Sequence, residues 1–184
     1  MCETNNWSHA LYTYIAGICY AELSRTHPTN RTYSEKATTL LDRVPNLLTK
    51  RKSFGVSGKR IPFEQFVERK ITRFKARAGS KPIRDGVMGP VTEEVTYLLC
   101  NGQKRMRVTE LEKSWQSLEL WERIGCEEEE VYALELMRSV VDRNSGRLEE
   151  AKQRIEKKVI SERLSKKGSL GSNDWVAGYA YYEV

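Results

Sequence analysis

Residues 8–45, SHALYTYIAGICYAELSRTHPTNRTYSEKATTLLDRVP, hold two runs of helical period with a breaker between them. From Ser8 to about Arg25, Leu11, Tyr14, Ile15, Ile18, Cys19 and Leu23 fall on a 3.6-residue stripe, and Ser8 is placed to cap it. His27, Pro28, Thr29 and Asn30 interrupt the pattern. Thr32 and Glu35 then make a capping box, in which hydroxyl and carboxylate satisfy opposing orphan amides. Tyr33, Ala37, Leu40, Leu41 and Val44 continue at helical spacing until Pro45, which is expected to end the run. Two amphipathic helices joined by a short turn predict a helical hairpin over 7–45. A glycine in a helix interior costs about 1 kcal/mol relative to alanine, so Gly17 predicts a second helix crossing close by, an approach that Ala16 and Ala21 also permit.

Outward from this hairpin the chain stays helical. Residues 50–60 read as a basic loop with Gly55 and Gly58, after which Pro62 suits the first turn of a helix carrying Phe63, Phe66, Val67, Ile71 and Phe74. Residues 79–90, GSKPIRDGVMGP, lack an apolar period and read as a flexible insertion. A short helix with Val95, Leu98 and Leu99 follows, with Asn101-Gly102 as its stop. Thr109 to Glu112 reads as a second capping box for a helix with Leu111, Trp115 and Leu118, closed by Gly125. Val131, Leu134, Met137 and Val141, then Leu148, Ala151, Ile155 and Val159 beyond a Ser145-Gly146 turn, predict another hairpin over 127–164. The acidic run Glu127 to Glu130 sits where a helix dipole favours it, so it reads as a solvated cap and not a cation site. Residues 174–184 are apolar on nearly all sides and read as the start of a further repeat, so the array is expected to continue past Val184. The fold class predicted is all-α, one region over 1–184: a divergent, truncated array of tetratricopeptide-like helical hairpins, an α-solenoid.

Composition agrees with a folded, water-soluble protein. Of 184 residues, 30% are charged and 39% hydrophobic, and the length is enough to bury a core without disulfide or metal. The longest apolar-leaning stretch, 11–23, is too short to span a bilayer, and no basic-then-apolar leader opens the sequence, so the compartment expected is cytosolic. Cys2, Cys19, Cys100 and Cys126, with His9 and His27, lack the spacing of a metal template. The GVSGK stretch at 55–59 lacks both the spacing and the preceding strand of a phosphate loop. With no nucleophile–base pair and no split carboxylates in evidence, the sequence predicts no catalytic residue, no cofactor and no metal, and a protein that acts by binding.

Charge is unevenly spread. Between positions 50 and 84 twelve basic residues face only Glu64 and Glu68, although the whole chain is only +6. Within that window Arg69, Lys70, Arg73 and Arg77 recur at helical spacing as a basic stripe. Such a stripe serves as solvated surface, or meets acidic protein, anionic lipid or nucleic acid. The sparse aromatic interleaving argues against a platform for stacked single-stranded bases. Tyr12 and Tyr20, on the first helix of the first hairpin, are the candidate peptide contacts, since first helices line the concave side of a repeat array.

Five stretches carry a resemblance to a known family. They are Trp7 to Tyr12 leading into Ala16-Gly17; PFEQFVERK at 62–70; Glu94 to Tyr97 with Asn101-Gly102; GRLEEA at 146–151; and Trp175-Val176 running to Tyr181-Tyr182-Glu183. In order and spacing the chain resembles the C-terminal part of the tetratricopeptide repeat protein 39 family and its fungal relatives, the inclusion body clearance proteins. The insertion after Gly79 departs from that pattern, and a large N-terminal portion is expected to be missing. The resemblance implies a non-enzymatic helical-repeat adaptor of cytosol and nucleus. It also implies association with protein inclusions, lipid-droplet proteins and the mitochondrial surface. The competing reading is a basic helical nucleic-acid-binding module, marked by a steep loss of affinity with salt.

Overall fold

The computed structural model describes residues 8–53, 62–161 and 175–183, which are helical with short turns and contain no strand. They divide into two compact units, Met1–Val87 and Met88–Val184.

In the first unit α1 (His9–Thr26) and α2 (Arg31–Ser53) form the expected hairpin, and α3 (Pro62–Ala78) packs on both. Ser8 caps α1 by accepting the Leu11 N–H at 3.3 Å. At the start of α2 the cap comes from Asn30, whose Oδ1 accepts the Thr32 N–H at 3.1 Å, and not from the Thr32 hydroxyl. Gly17 is buried against Leu41, and a Cβ there would stand 2.7 Å from its Cδ2, which is the close crossing its position implied. Pro45 does not end α2: the helix runs through it to Ser53. A proline costs a helix interior about 3 kcal/mol. Burial of Ala37, Leu41 and Val44 against the neighbouring helices offsets that locally and holds the helix together. Tyr14 is the centre of this core, edge-on to Phe66 with ring centroids 6.3 Å apart and stacked on Phe74 at 6.4 Å. The segment 79–90, read as a flexible insertion, contains a 3₁₀ turn (Ile83–Gly86) that buries Ile83 and Gly86. Its Ile83 N–H donates to Asp42 Oδ1 at 3.1 Å, so an apolar anchor and a side-chain acceptor fix a stretch without helical period.

The second unit is organised around α6 (Glu128–Asn144), whose Tyr132, Ala133, Leu136, Met137, Val140 and Val141 are all buried. Against it lie α4 (Val91–Cys100), α5 (Val108–Ile124), α7 (Leu148–Arg154) and α8 (Trp175–Glu183), with α7 continuing as a π-helical stretch, Ile155–Ser161. The α6–α7 hairpin turns at Ser145 and Gly146, as its spacing predicted. α5 begins one residue before Thr109. Its box is closed by Glu110, whose Oε2 accepts the Arg107 N–H at 2.8 Å, and not by Thr109 and Glu112. Of the basic loop expected at 50–60, residues 50–53 belong to α2, and 54–60 with the GVSGK stretch lie outside the described residues.

α8 is tied down by its last residue. Glu183 accepts the Tyr97 hydroxyl at 2.6 Å and pairs with Arg143, so α4, α6 and α8 meet at one carboxylate. Burial pushes the Tyr97 hydroxyl up to about 12. An unfolded tyrosine ionises near pH ~10, so the unfolded chain gives up this proton first. The contribution of Tyr97 is therefore whole below that pH and is lost as pH rises through about 12. An alkaline absorbance titration is expected to show a late phenolate that is absent from Tyr97→Phe, and that variant loses about 1.5 to 3 kcal/mol for a hydrogen bond to a charged group.

Candidate functional site

On α3 the apolar positions Val67, Ile71, Phe74 and Ala78 define the inward face. Arg69 is fully on the other side, while Arg73 and Arg77 are half-buried; at spacings of four they form one line along the outer flank. Lys70 does not belong to it. Its side chain is 1% exposed, with the ammonium 5.7 Å from the centre of the Phe66 ring. The reason is positional: Lys70 is three residues after Val67 and four before Phe74, so it occupies the core stripe and lays its aliphatic stem on it. The basic stripe is thus Arg69, Arg73 and Arg77.

Tyr12 stands half exposed, at 50%, on α1. Tyr20 is more covered: its ring lies 6.1 Å from that of Tyr33, and the Lys36 ammonium sits 5.0 Å above it. His27 packs edge-on to Tyr33 at 6.0 Å, so the α1–α2 turn carries a small aromatic cluster. Tyr20 is six residues beyond Tyr14, roughly 9 Å along α1, so this cluster is separate from the point where α3 crosses.

The most elaborated arrangement in the second unit was not predicted from the sequence. It is a chain of alternating charges across α5, α6 and α7. Glu122 receives Arg138 in a two-pronged contact at 2.5 and 2.9 Å, and Arg138 reaches on to Glu135 at 3.3 Å. Arg154 bridges Glu135 at 2.8 Å and Asp142 at 3.2 Å, and Arg147 ends the chain on Asp142 at 2.8 Å. The hydrogen bond from Arg138 lowers the Glu122 carboxyl below its ordinary value and raises the guanidinium in return. All three guanidinium groups lie over Trp115, 5.2 to 5.7 Å from its ring centre. The indole N–H donates to Glu119 at 3.0 Å. Cation–π contacts contribute about 0.5 to 1 kcal/mol for an exposed cation such as Arg147 and about 2 kcal/mol for a desolvated one such as Arg138, so Trp115 is held from its face and its edge.

Beside Trp115 opens a groove of about 580 Å³ between one side of α5 and the α6–α7 turn. Val108, Leu111 and Trp115 supply apolar lining, and Glu112, Gln116, Glu119, Asn144, Ser145 and Arg147 supply polar groups. Among the described residues no three His, Cys, Asp or Glu side chains gather in a way that could hold a metal ion. Nor is any described helix long and apolar enough to cross a membrane.

These features define a class: an all-α protein of amphipathic hairpins, carrying charged and aromatic side chains on outer faces. The chain belongs to the Iml2/Tetratricopeptide repeat protein 39 family, whose model matches residues 1–145. It is 34% identical to the inclusion body clearance protein iml2 of Aspergillus niger, over 99% of this chain and 28% of that protein. The Kluyveromyces lactis protein of the same name is 28% identical over 100% of this chain and 28% of its own length. The chain therefore spans 28% of these curated relatives. No solved structure matches it.

Proposed function

We propose that this chain is a non-enzymatic, partner-binding part of a protein that clears protein inclusions, acting as an adaptor with inclusion-associated and lipid-droplet proteins. The observation that carries the reading is the match along 99% of the chain to a relative named for inclusion body clearance. The family's tetratricopeptide character supports binding over catalysis, because helical hairpin arrays present extended surfaces to partners. Within the chain, Arg69, Arg73 and Arg77 are the surface for acidic protein or an anionic lipid headgroup, with Tyr12 and Tyr20 as further contacts. Cytoplasm and nucleus are the compartments for this role, with peripheral attachment at lipid droplets or the mitochondrial outer membrane.

Co-sedimentation of the chain with isolated protein inclusions tests the reading. Arg69→Glu/Arg73→Glu/Arg77→Glu is expected to reduce the bound fraction several-fold while far-ultraviolet circular dichroism stays unchanged. Lys70→Glu, by contrast, puts a carboxylate at a buried position and is expected to lower stability by about 2 to 4 kcal/mol in urea unfolding. Co-sedimentation that survives the triple substitution removes the arginine line from the account. Recovery of nucleic acid alone, falling steeply with salt, favours the nucleic-acid reading instead.

A further inference from the structure

The groove beside Trp115 has a charge of its own within a basic protein. Among the described residues lining it the one cation is Arg147, and that guanidinium is committed to Asp142, whose side chain is 2% exposed. Glu112 and Glu119 line the same wall of α5, seven residues or two helical turns apart, and both are exposed. Two carboxylates therefore set the sign of the groove, while Arg147, like the Arg138 and Arg154 groups that also lie over Trp115, is offset by the acids it pairs with.

Apolar surface lies between and beside these acids. Val108 is 72% exposed at the first turn of α5, next to buried Leu111 and the edge of Trp115. Val108 carries the apolar lining of Leu111 and Trp115 out to the groove mouth. The opposite wall is polar. Asn144, which donates an amide N–H to the Val140 carbonyl at 2.7 Å, lines it together with Ser145. The walls are also pre-set, because Trp115 and Arg147 are held by the ion-pair chain and lose little freedom on binding. About 580 Å³ falls within the range of sites that take a short peptide or small ligand.

We infer that this groove docks a short segment of a partner protein in which an aliphatic side chain stands next to lysine or arginine. The aliphatic group covers Val108, Leu111 and the edge of Trp115; the basic group lies between Glu112 and Glu119; Asn144 and Ser145 meet the backbone of the segment. The inference rests on the reading of the chain as a partner-binding scaffold and adds a second surface of opposite sign to the α3 arginines. An acidic partner segment is excluded by the same two carboxylates that admit a basic one.

The test is selection from a random heptapeptide library displayed on phage, panned on the 184-residue chain and in parallel on two variants. Glu112→Gln/Glu119→Gln removes both charges and leaves an acceptor for the Trp115 N–H. Val108→Asp removes the apolar mouth at a helix start, where aspartate is well tolerated. Peptides pairing Leu, Ile, Val or Met with Lys or Arg are expected to be enriched on the unmodified chain. The best of them, labelled with fluorescein, is expected to lose at least tenfold in affinity to each variant. No enrichment, enrichment of acidic peptides, or undiminished affinity for either variant overturns the inference. The α3 arginines are intact in both variants, so failure here leaves the inclusion-binding result standing, and failure there leaves this one standing.

Discussion

Replacing Arg147 and Arg154 together by alanine is expected to cost the second unit about 3 to 5 kcal/mol, more than the two single changes combined. Asp142 is the reason. Its carboxylate is almost fully covered and holds Arg147 through one oxygen and Arg154 through the other. Arg147→Ala alone leaves Arg154 in place and removes a side chain already 45% exposed to water, so its cost is below about 1 kcal/mol. Arg154→Ala alone leaves Arg147, with a loss of about 1 to 2 kcal/mol from the shared contact to Glu135. Only the double change strands a buried charge. Urea unfolding followed by tryptophan fluorescence reads the result, since Trp115 and Trp121 both lie in this unit. Additive losses would mean that Asp142 reaches water once the arginines are gone.

Gly86→Ala is expected to cost the first unit about 3 kcal/mol, at the upper end for an overpacked core. A Cβ at Gly86 would lie 1.9 Å from the Phe74 carbonyl oxygen and 3.0 Å from the Ala78 nitrogen. Both are backbone atoms of α3 and cannot swing aside as a side chain would. Gly17→Ala meets the end of Leu41 instead, which can shift rotamer, so a smaller loss of about 1 to 2 kcal/mol is expected there. Because the chain has two compact units, a single melting curve can blend two events; hydrogen exchange resolved along the chain separates them. Gly86→Ala should lower protection in α1, α2 and α3 and leave α6 as it was. A wild-type exchange pattern would show that α3 can move back from the 3₁₀ turn at no cost.

The helices were legible because burial imposes a period of 3.6 that survives in the sequence. Leu11, Tyr14 and Ile18 on α1 and Ala37, Leu41 and Val44 on α2 are buried as their spacing required, while Cys19 and Leu23, read on the same stripe of α1, are exposed. Ends were less legible, because a cap is chosen by local geometry: Asn30 serves α2 and Glu110 serves α5, each within two residues of the threonine that read as the cap. Lys70 leaves the expected stripe because position outweighs residue type: the order Val67, Lys70, Ile71, Phe74 puts it on the inward face. The Trp115 groove could not be read at all. The ion-pair chain beside it draws its acids and arginines from three helices and a turn, and within that chain only Glu135 with Arg138 sits at a helical spacing, three residues apart.

Clearance of a heat-induced fluorescent inclusion, timed in cells whose copy of the protein carries Arg69→Glu, Arg73→Glu and Arg77→Glu at matched abundance, tests the central claim most directly. Slower clearance, with the protein still folded and present, is the predicted result. Clearance at the wild-type rate would contradict the claim that this helical face is how the chain takes part.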